Sequence, residues 1–170
     1  MTRTSAKALA LARPVIGVLT ILNLLYAIGL GLLLGAFFIG LSPEKALGFH
    51  ANPAPALLIP AIRSIIVIGL AGAAIVHGIL RRVLAIVDTV DSGDPFVLEN
   101  AKRLEAIAWS VVALEILRSV VAVVASTLMD WPGFVDGFSI ASWFAVLLLF
   151  VLAGVFAQGA RMREDLEGTV

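Results

Sequence analysis

Four long apolar runs constrain this chain more than any other feature of its sequence. They cover residues 15–41, 59–80, 106–129 and 138–160. The first is interrupted by Thr20 and Asn23, the second carries Arg63 and His77, the third carries Glu115 and Arg118, and the fourth has no charge. Each reaches the roughly 20 residues that a helix rising ~1.5 Å per residue needs to cross a ~30 Å hydrocarbon core. In lipid every backbone amide needs an internal partner, and these runs are too long and continuous for barrel strands. The expected fold is an all-α integral membrane protein, an antiparallel four-helix transmembrane bundle forming a single domain over residues 1–170. Composition agrees. The chain is 61% hydrophobic and 14% charged, against about half and about a quarter in soluble domains.

Twelve Lys and Arg balance twelve Asp and Glu, so there is no global basic field and no direct nucleic-acid partner is expected. With no cysteine, disulfides, thiol nucleophiles and thiolate metal sites are excluded. The first run is preceded by Arg3, Lys7 and Arg13 in the manner of a signal peptide. Its apolar stretch is about twice the usual length and lacks a small-x-small cleavage site, so it reads as an uncleaved first span.

The basic residues orient the spans. Arg3, Lys7, Arg13, Arg81, Arg82, Lys102, Arg103, Arg161 and Arg163 fall on one side, and only Lys45 on the other. The positive-inside rule places both termini and the middle loop in the cytoplasm. Phe37, Phe38, Trp131, Phe134, Phe138 and Trp143 gather at the outer boundary and Trp109 near the inner one, as interfacial rings prefer. The outer segments 42–58 and 130–137 contain Pro43, Pro53, Pro55 and a Trp131-Pro132-Gly133 turn. They read as irregular caps.

The cytoplasmic segment 81–105 is expected to form a short helical hairpin. Val83, Ile86, Val87 and Val90 recur at helical spacing, and Val97, Ala101, Leu104 and Ala108 carry an apolar stripe into the third span. Between them Asp94 reads as an N-cap and Pro95 as the first helical residue. Arg81 and Arg82 are placed at lipid phosphates. Phe96, Glu99, Asn100, Lys102 and Arg103 on the hairpin, with Asp165 and Leu166 on the tail 161–170, are the candidate contacts for a soluble partner. Glu99 can pair with Lys102 and Arg103 at helical spacing.

Gly93-Asp94-Pro95-Phe96, then Asn100 and Leu104, and near the end Val155-Phe156 with Gly159, Glu164-Asp165-Leu166 and Thr169-Val170, resemble a bacterial family of uncharacterised four-span inner-membrane proteins. The likeness extends over most of the chain through its four-span layout. It implies no known reaction. Members of that family are often encoded beside a small helix-turn-helix regulator of the Cro/CI type, which implies a regulatory pair.

Charges inside a bilayer cost several kcal/mol unless paired or hydrated. Asn23, Arg63, His77, Glu115 and Arg118 are therefore the intramembrane candidates. Glu115 and Arg118, three apart, can pair with each other roughly 14 and 18 Å deep. Asn23, at roughly 12 Å depth, can reach Glu115, and a hydrogen bond between the two is expected. Glu115, Ser119, Ala122 and Ser126 form a small polar stripe suited to close packing, as do the pairs Gly31/Gly35, Gly69/Ala73 and Ala153/Ala157. Arg63 is expected to snorkel outward. His77 is expected to meet the interface or a carbonyl, with a proton relay to Glu115 as the sharper alternative.

No set of residues suggests a cofactor. His50 and His77 fall on opposite sides and cannot share a metal, and there is no phosphate-loop or dinucleotide motif. An enzyme is not expected. Three readings remain: a membrane regulator or sensor whose hairpin and tail hold a helix-turn-helix partner, a transporter or channel subunit using Glu115 and Arg118, and a structural subunit of a membrane complex or homo-oligomer.

Overall fold

The computed structural model of the protein describes residues 3–40, 58–128 and 139–167. The irregular outer caps, Lys45, His50, Trp131, Phe134, Phe138 and the terminal Thr169-Val170 lie outside them. The described residues form four helices and no strand: α1 (Arg3–Phe38), α2 (Leu58–Asp91), α3 (Leu98–Leu128) and α4 (Ile140–Glu167). They are 36, 34, 31 and 28 residues long. At ~1.5 Å per residue that is roughly 40–55 Å, so each helix is longer than a ~30 Å hydrocarbon core requires. All four are long and apolar enough to cross a membrane. Their outward faces are lined by exposed Leu, Ile, Val and Phe, a surface that water would oppose and lipid accepts. The chain is a multi-pass membrane protein.

Extensive interfaces join α1 to α2, α2 to α3 and α3 to α4. The helices thus form a series of neighbours, and among the described residues no comparable interface joins α1 to α4. More than half of the buried apolar residues are alanines, including Ala61 and Ala73 on α2, Ala101, Ala108 and Ala125 on α3, and Ala153 and Ala160 on α4. Small side chains let helix backbones approach closely where lipid supplies no hydrophobic drive. Gly69 is such an approach point, because a Cβ there would stand 2.8 Å from Leu30 Cδ1 and 3.3 Å from the Tyr26 hydroxyl. Trp109 and Phe150 meet edge to face at 5.5 Å between α3 and α4.

One expected packing pair and one member of the expected α3 stripe are not used this way. Gly31 and Gly35 have open space around them, because α1 meets α2 through its other faces. Ser119 on α3 is exposed, and its hydroxyl donates to the Glu115 carbonyl of its own helix. The packed face of α3 instead begins with Asn100, Ala101, Leu104, Ile107 and Ala108, all buried.

The expected junction near Asp94 also changes. Helix α2 ends in a Schellman motif. Gly93, at φ +87°, supplies the left-handed residue that glycine adopts without a Cβ clash. The Gly93 amide donates to the Val90 carbonyl at 3.1 Å and the Asp94 amide to the Thr89 carbonyl at 3.0 Å. The Asp94 backbone therefore completes the end of α2 and does not begin α3, which starts at Leu98.

Candidate functional site

The α2–α3 connection, residues 92–97, and the helix ends beside it are joined by a network of side-chain hydrogen bonds. Its centre is Asn100, a fully buried polar residue in the first turn of α3. Its amide nitrogen donates to Thr89 Oγ1 at 2.6 Å and to the Pro95 carbonyl at 2.9 Å. Its carbonyl oxygen accepts from Arg103 Nη1 at 2.9 Å. Both donors are used and the acceptor is charge-assisted, so the burial cost of a primary amide is answered on every side. Thr89 in turn donates its hydroxyl to the Ile86 carbonyl at 2.7 Å. Arg103 also reaches the Ala85 carbonyl at 3.3 Å. The end of α2, the connection and the start of α3 are thereby one hydrogen-bonded unit.

Neighbouring helices grip this unit from both sides. From α4, Arg163 pairs with Asp94. The ring of Phe96 lies against Gly159, where a Cβ would stand 2.9 Å from its Cδ1, and 5.2 Å from the ring of Phe156. Gly159 is the flat place that lets Phe96 sit. From α1, Arg13 bridges Asp88 at 2.9 Å and Asp91 at 3.1 Å. These ion pairs are about half-exposed and contribute little individually. The apolar Phe96 contact and the Asn100 network carry more.

The sequence-derived contact residues divide accordingly. Asn100 has no exposed surface and Arg103 is partly buried and turned toward it, so these two build the site and a partner cannot reach Asn100 in this packing. Glu99 and Lys102 are exposed, 3.9 Å apart in an i,i+3 pair. Phe96, Asp165 and Leu166 are exposed at their outer sides. Thr89, Asp88, Asp91 and Arg163 were not legible as contacts. The one signal for Thr89 is a hydroxyl a single turn before a glycine helix stop.

Of the five residues expected within the bilayer, Glu115 and Arg118 pair with each other, and the other three reach other partners or none among the described residues. The expected Asn23–Glu115 bond is absent. Asn23 Nδ2 donates to the Ala73 carbonyl of α2 at 3.0 Å, because the extensive interface of α1 is with α2. Glu115 pairs with Arg118 of its own helix at 3.4 Å, the carboxylate largely buried and the guanidinium half-exposed. Arg63 reaches the end of α1. Its Nη2 donates to the Phe37 carbonyl at 3.0 Å and its guanidinium lies 5.3 Å from the Phe38 ring. It thus answers one orphan carbonyl and the negative dipole end of α1, while its Nε is buried without a hydrogen-bond partner among the described residues. His77 Nδ1 is buried without a hydrogen-bond partner among the described residues. No group of three metal-ligating side chains occurs among the described residues.

Gly93 to Phe96, Asn100, Phe156 and Gly159, which meet around the connection, are among the residues that carry the family resemblance. No curated protein and no solved structure matches the chain. Residues 45–170, which include α2, α3, α4 and every residue of the Asn100 network, match the family described as proteins of unknown function, DUF2975. The match covers most of the chain, and the protein belongs to that family.

Proposed function

We propose that the protein is a non-enzymatic membrane regulator that holds a soluble helix-turn-helix partner at the cytoplasmic face of a bacterial inner membrane. In this reading the helices are antiparallel, both termini and the α2–α3 hairpin are cytoplasmic, and the basic residues on that side face the cytosol. Pairing along the helices favours it. Arg13, Asn23 and Phe37 of α1 meet Asp88, Ala73 and Arg63 of α2 in descending order.

One observation carries the functional reading. The Asp94–Arg163 pair and the seat of Phe96 on Gly159 bind the hairpin turn to the end of α4. The two segments expected to contact a partner are then one surface. Its apolar part is the exposed sides of Phe96, Leu98, Met162 and Leu166, with Glu99, Lys102 and Asp165 around it. The transport reading has less support, since Glu115 is held in an ion pair by Arg118 of its own helix.

The test is cross-linked capture from host membranes with the tagged full-length chain. The variants are Met162→Glu with Leu166→Glu, and Ile140→Ser at the other end of α4 as control. Recovery of a helix-turn-helix protein with the native chain and the control, lost with the double variant, supports the proposal. Recovery of membrane subunits alone, or of the regulator unchanged by the double variant, contradicts it.

A further inference from the structure

Arg81, Arg82 and Arg103 line a single groove of about 310 Å³ between α2 and α3, completed by Gly78 and Ala85. No carboxylate lines it. The acidic groups of the same region are engaged elsewhere or face away. Asp88 and Asp91 are held by Arg13, Glu99 lies by Lys102, and Glu105 is on the exposed side of α3. Arg81 and Arg82 form no ion pair with a described residue, and Arg103 bonds only the neutral oxygens of Asn100 and Ala85. Three guanidinium groups are therefore gathered without a counter-charge, an arrangement whose mutual repulsion an anion relieves.

The groove has a shape as well as a charge. Arg82 folds back over Gly78, where a Cβ would stand 2.9 Å from its Nη1. Glycine leaves the room in which that guanidinium lies. Arg103 is fixed in place by its bonds to both helices, so one of the three donors is preorganised. A planar guanidinium offers paired N–H donors matched to phosphate oxygens.

The level of the groove selects the ligand. The apolar run of α2 ends at Leu80, immediately before Arg81 and Arg82. On α3 the exposed Trp109 lies about 9 Å along the axis from Arg103, and such rings favour the headgroup zone. The three arginines thus stand at the boundary where lipid phosphates lie.

We propose that Arg81, Arg82 and Arg103 form a phosphate site, with Gly78 as its floor, that takes the phosphodiester of an anionic phospholipid. A free phosphate compound carries the same chemistry, and the test separates the two sources. It does not depend on capture of a soluble partner.

The full-length chain is purified, delipidated and examined by native mass spectrometry with phosphatidylglycerol, phosphatidylcholine or inorganic pyrophosphate added. The variants are Arg81→Gln with Arg82→Gln, Gly78→Leu, which fills the groove and keeps every charge, and Lys102→Gln with Arg161→Gln as a charge-matched control. The native chain should retain phosphatidylglycerol over phosphatidylcholine. The arginine double variant should lose on the order of thirtyfold in affinity for it. Gly78→Leu should weaken it also, and the control should leave it unchanged. Pyrophosphate binding that displaces the lipid and is lost in the same variants supports the site with a soluble source. Equal retention of both lipids by the native chain, with no pyrophosphate binding, overturns the proposal and needs no variant to fold. Equal loss in the control reduces the effect to net charge and overturns it as well.

Discussion

Asn100 Nδ2 and Thr89 Oγ1 lie 2.6 Å apart, joining the first turn of α3 to the last turn of α2. The same threonine hydroxyl donates to Ile86, so it serves as acceptor and donor at once. Thr89→Val keeps the shape and removes both roles, leaving one buried N–H of Asn100 unpaired. The expected cost is about 1–3 kcal/mol. Asn100→Ala should cost at least as much, because it also releases Arg103 and Pro95. The two residues share a bond, so the double variant should fall short of the sum by on the order of 1 kcal/mol. Reversible unfolding in mixed micelles measures all three.

The contact of Phe96 with Gly159 opposes two known effects. Alanine in a helix is favoured over glycine by about 1 kcal/mol. At this position the added methyl meets the Phe96 ring at 2.9 Å, and overpacking typically costs about 1–3 kcal/mol. Gly159→Ala should therefore destabilise the native protein and stabilise a Phe96→Ala background. A change of sign between the two backgrounds, read as Tm, is the predicted result. The same sign in both would mean that the ring does not rest there.

Glu115 and Arg118 should behave as a pair. Removing either charge breaks this ion pair within an apolar helix, where insertion scales assign roughly 2.5–3.5 kcal/mol to a central charge. Glu115→Gln or Arg118→Gln alone should lower folded yield in membranes. The combined variant should recover most of it. Ion or solute flux in proteoliposomes should be indifferent to either change. Flux lost in a folded Glu115→Gln protein would return the pair to a transport role.

The clamp of Arg13 on Asp88 and Asp91 is about half-exposed, with 51% of the Arg13 side chain accessible. Arg13→Gln should cost only about 0.2–1 kcal/mol at low salt. The difference from the native protein should shrink toward zero at ~1 M salt, where screening acts over about 3 Å. A larger loss that persists in salt would give α1 a structural role beyond this ion pair.

The four helices were legible because apolar runs of this length have few other fates. The stripe Ala101, Leu104, Ala108 was legible for a related reason, since helical spacing places those residues on one face. The neighbours of Asn23 and Arg63 were not. Depth along a helix follows from counting residues, but which helix stands alongside does not. Asn23 at the right depth for Glu115 thus met Ala73 instead. The Asp94 junction was misread because Gly-Asp-Pro serves equally as a helix start and as the finish of a Schellman motif. Only the bond from the Asp94 amide back to Thr89 decides between them. Asn100 carried a family likeness without a role. Its burial depends on a hydroxyl eleven residues earlier on another helix, and no local pattern announces such a pair.

The seat of the α2–α3 connection on α4 is directly measurable, because the chain has no native cysteine. With Phe96→Cys and Gly159→Cys introduced together, the two side chains lie near disulfide reach, since a Cβ at 159 falls 3.5 Å from Phe96 Cγ. Mild oxidation of native membranes should then give an intramolecular disulfide, seen as a shifted band on a non-reducing gel. Phe96→Cys paired with Cys at Gly154, which has open space around it, should give none. Failure of the 96–159 bridge, or equal bridging at 96–154, would contradict the single hairpin-and-tail surface proposed here.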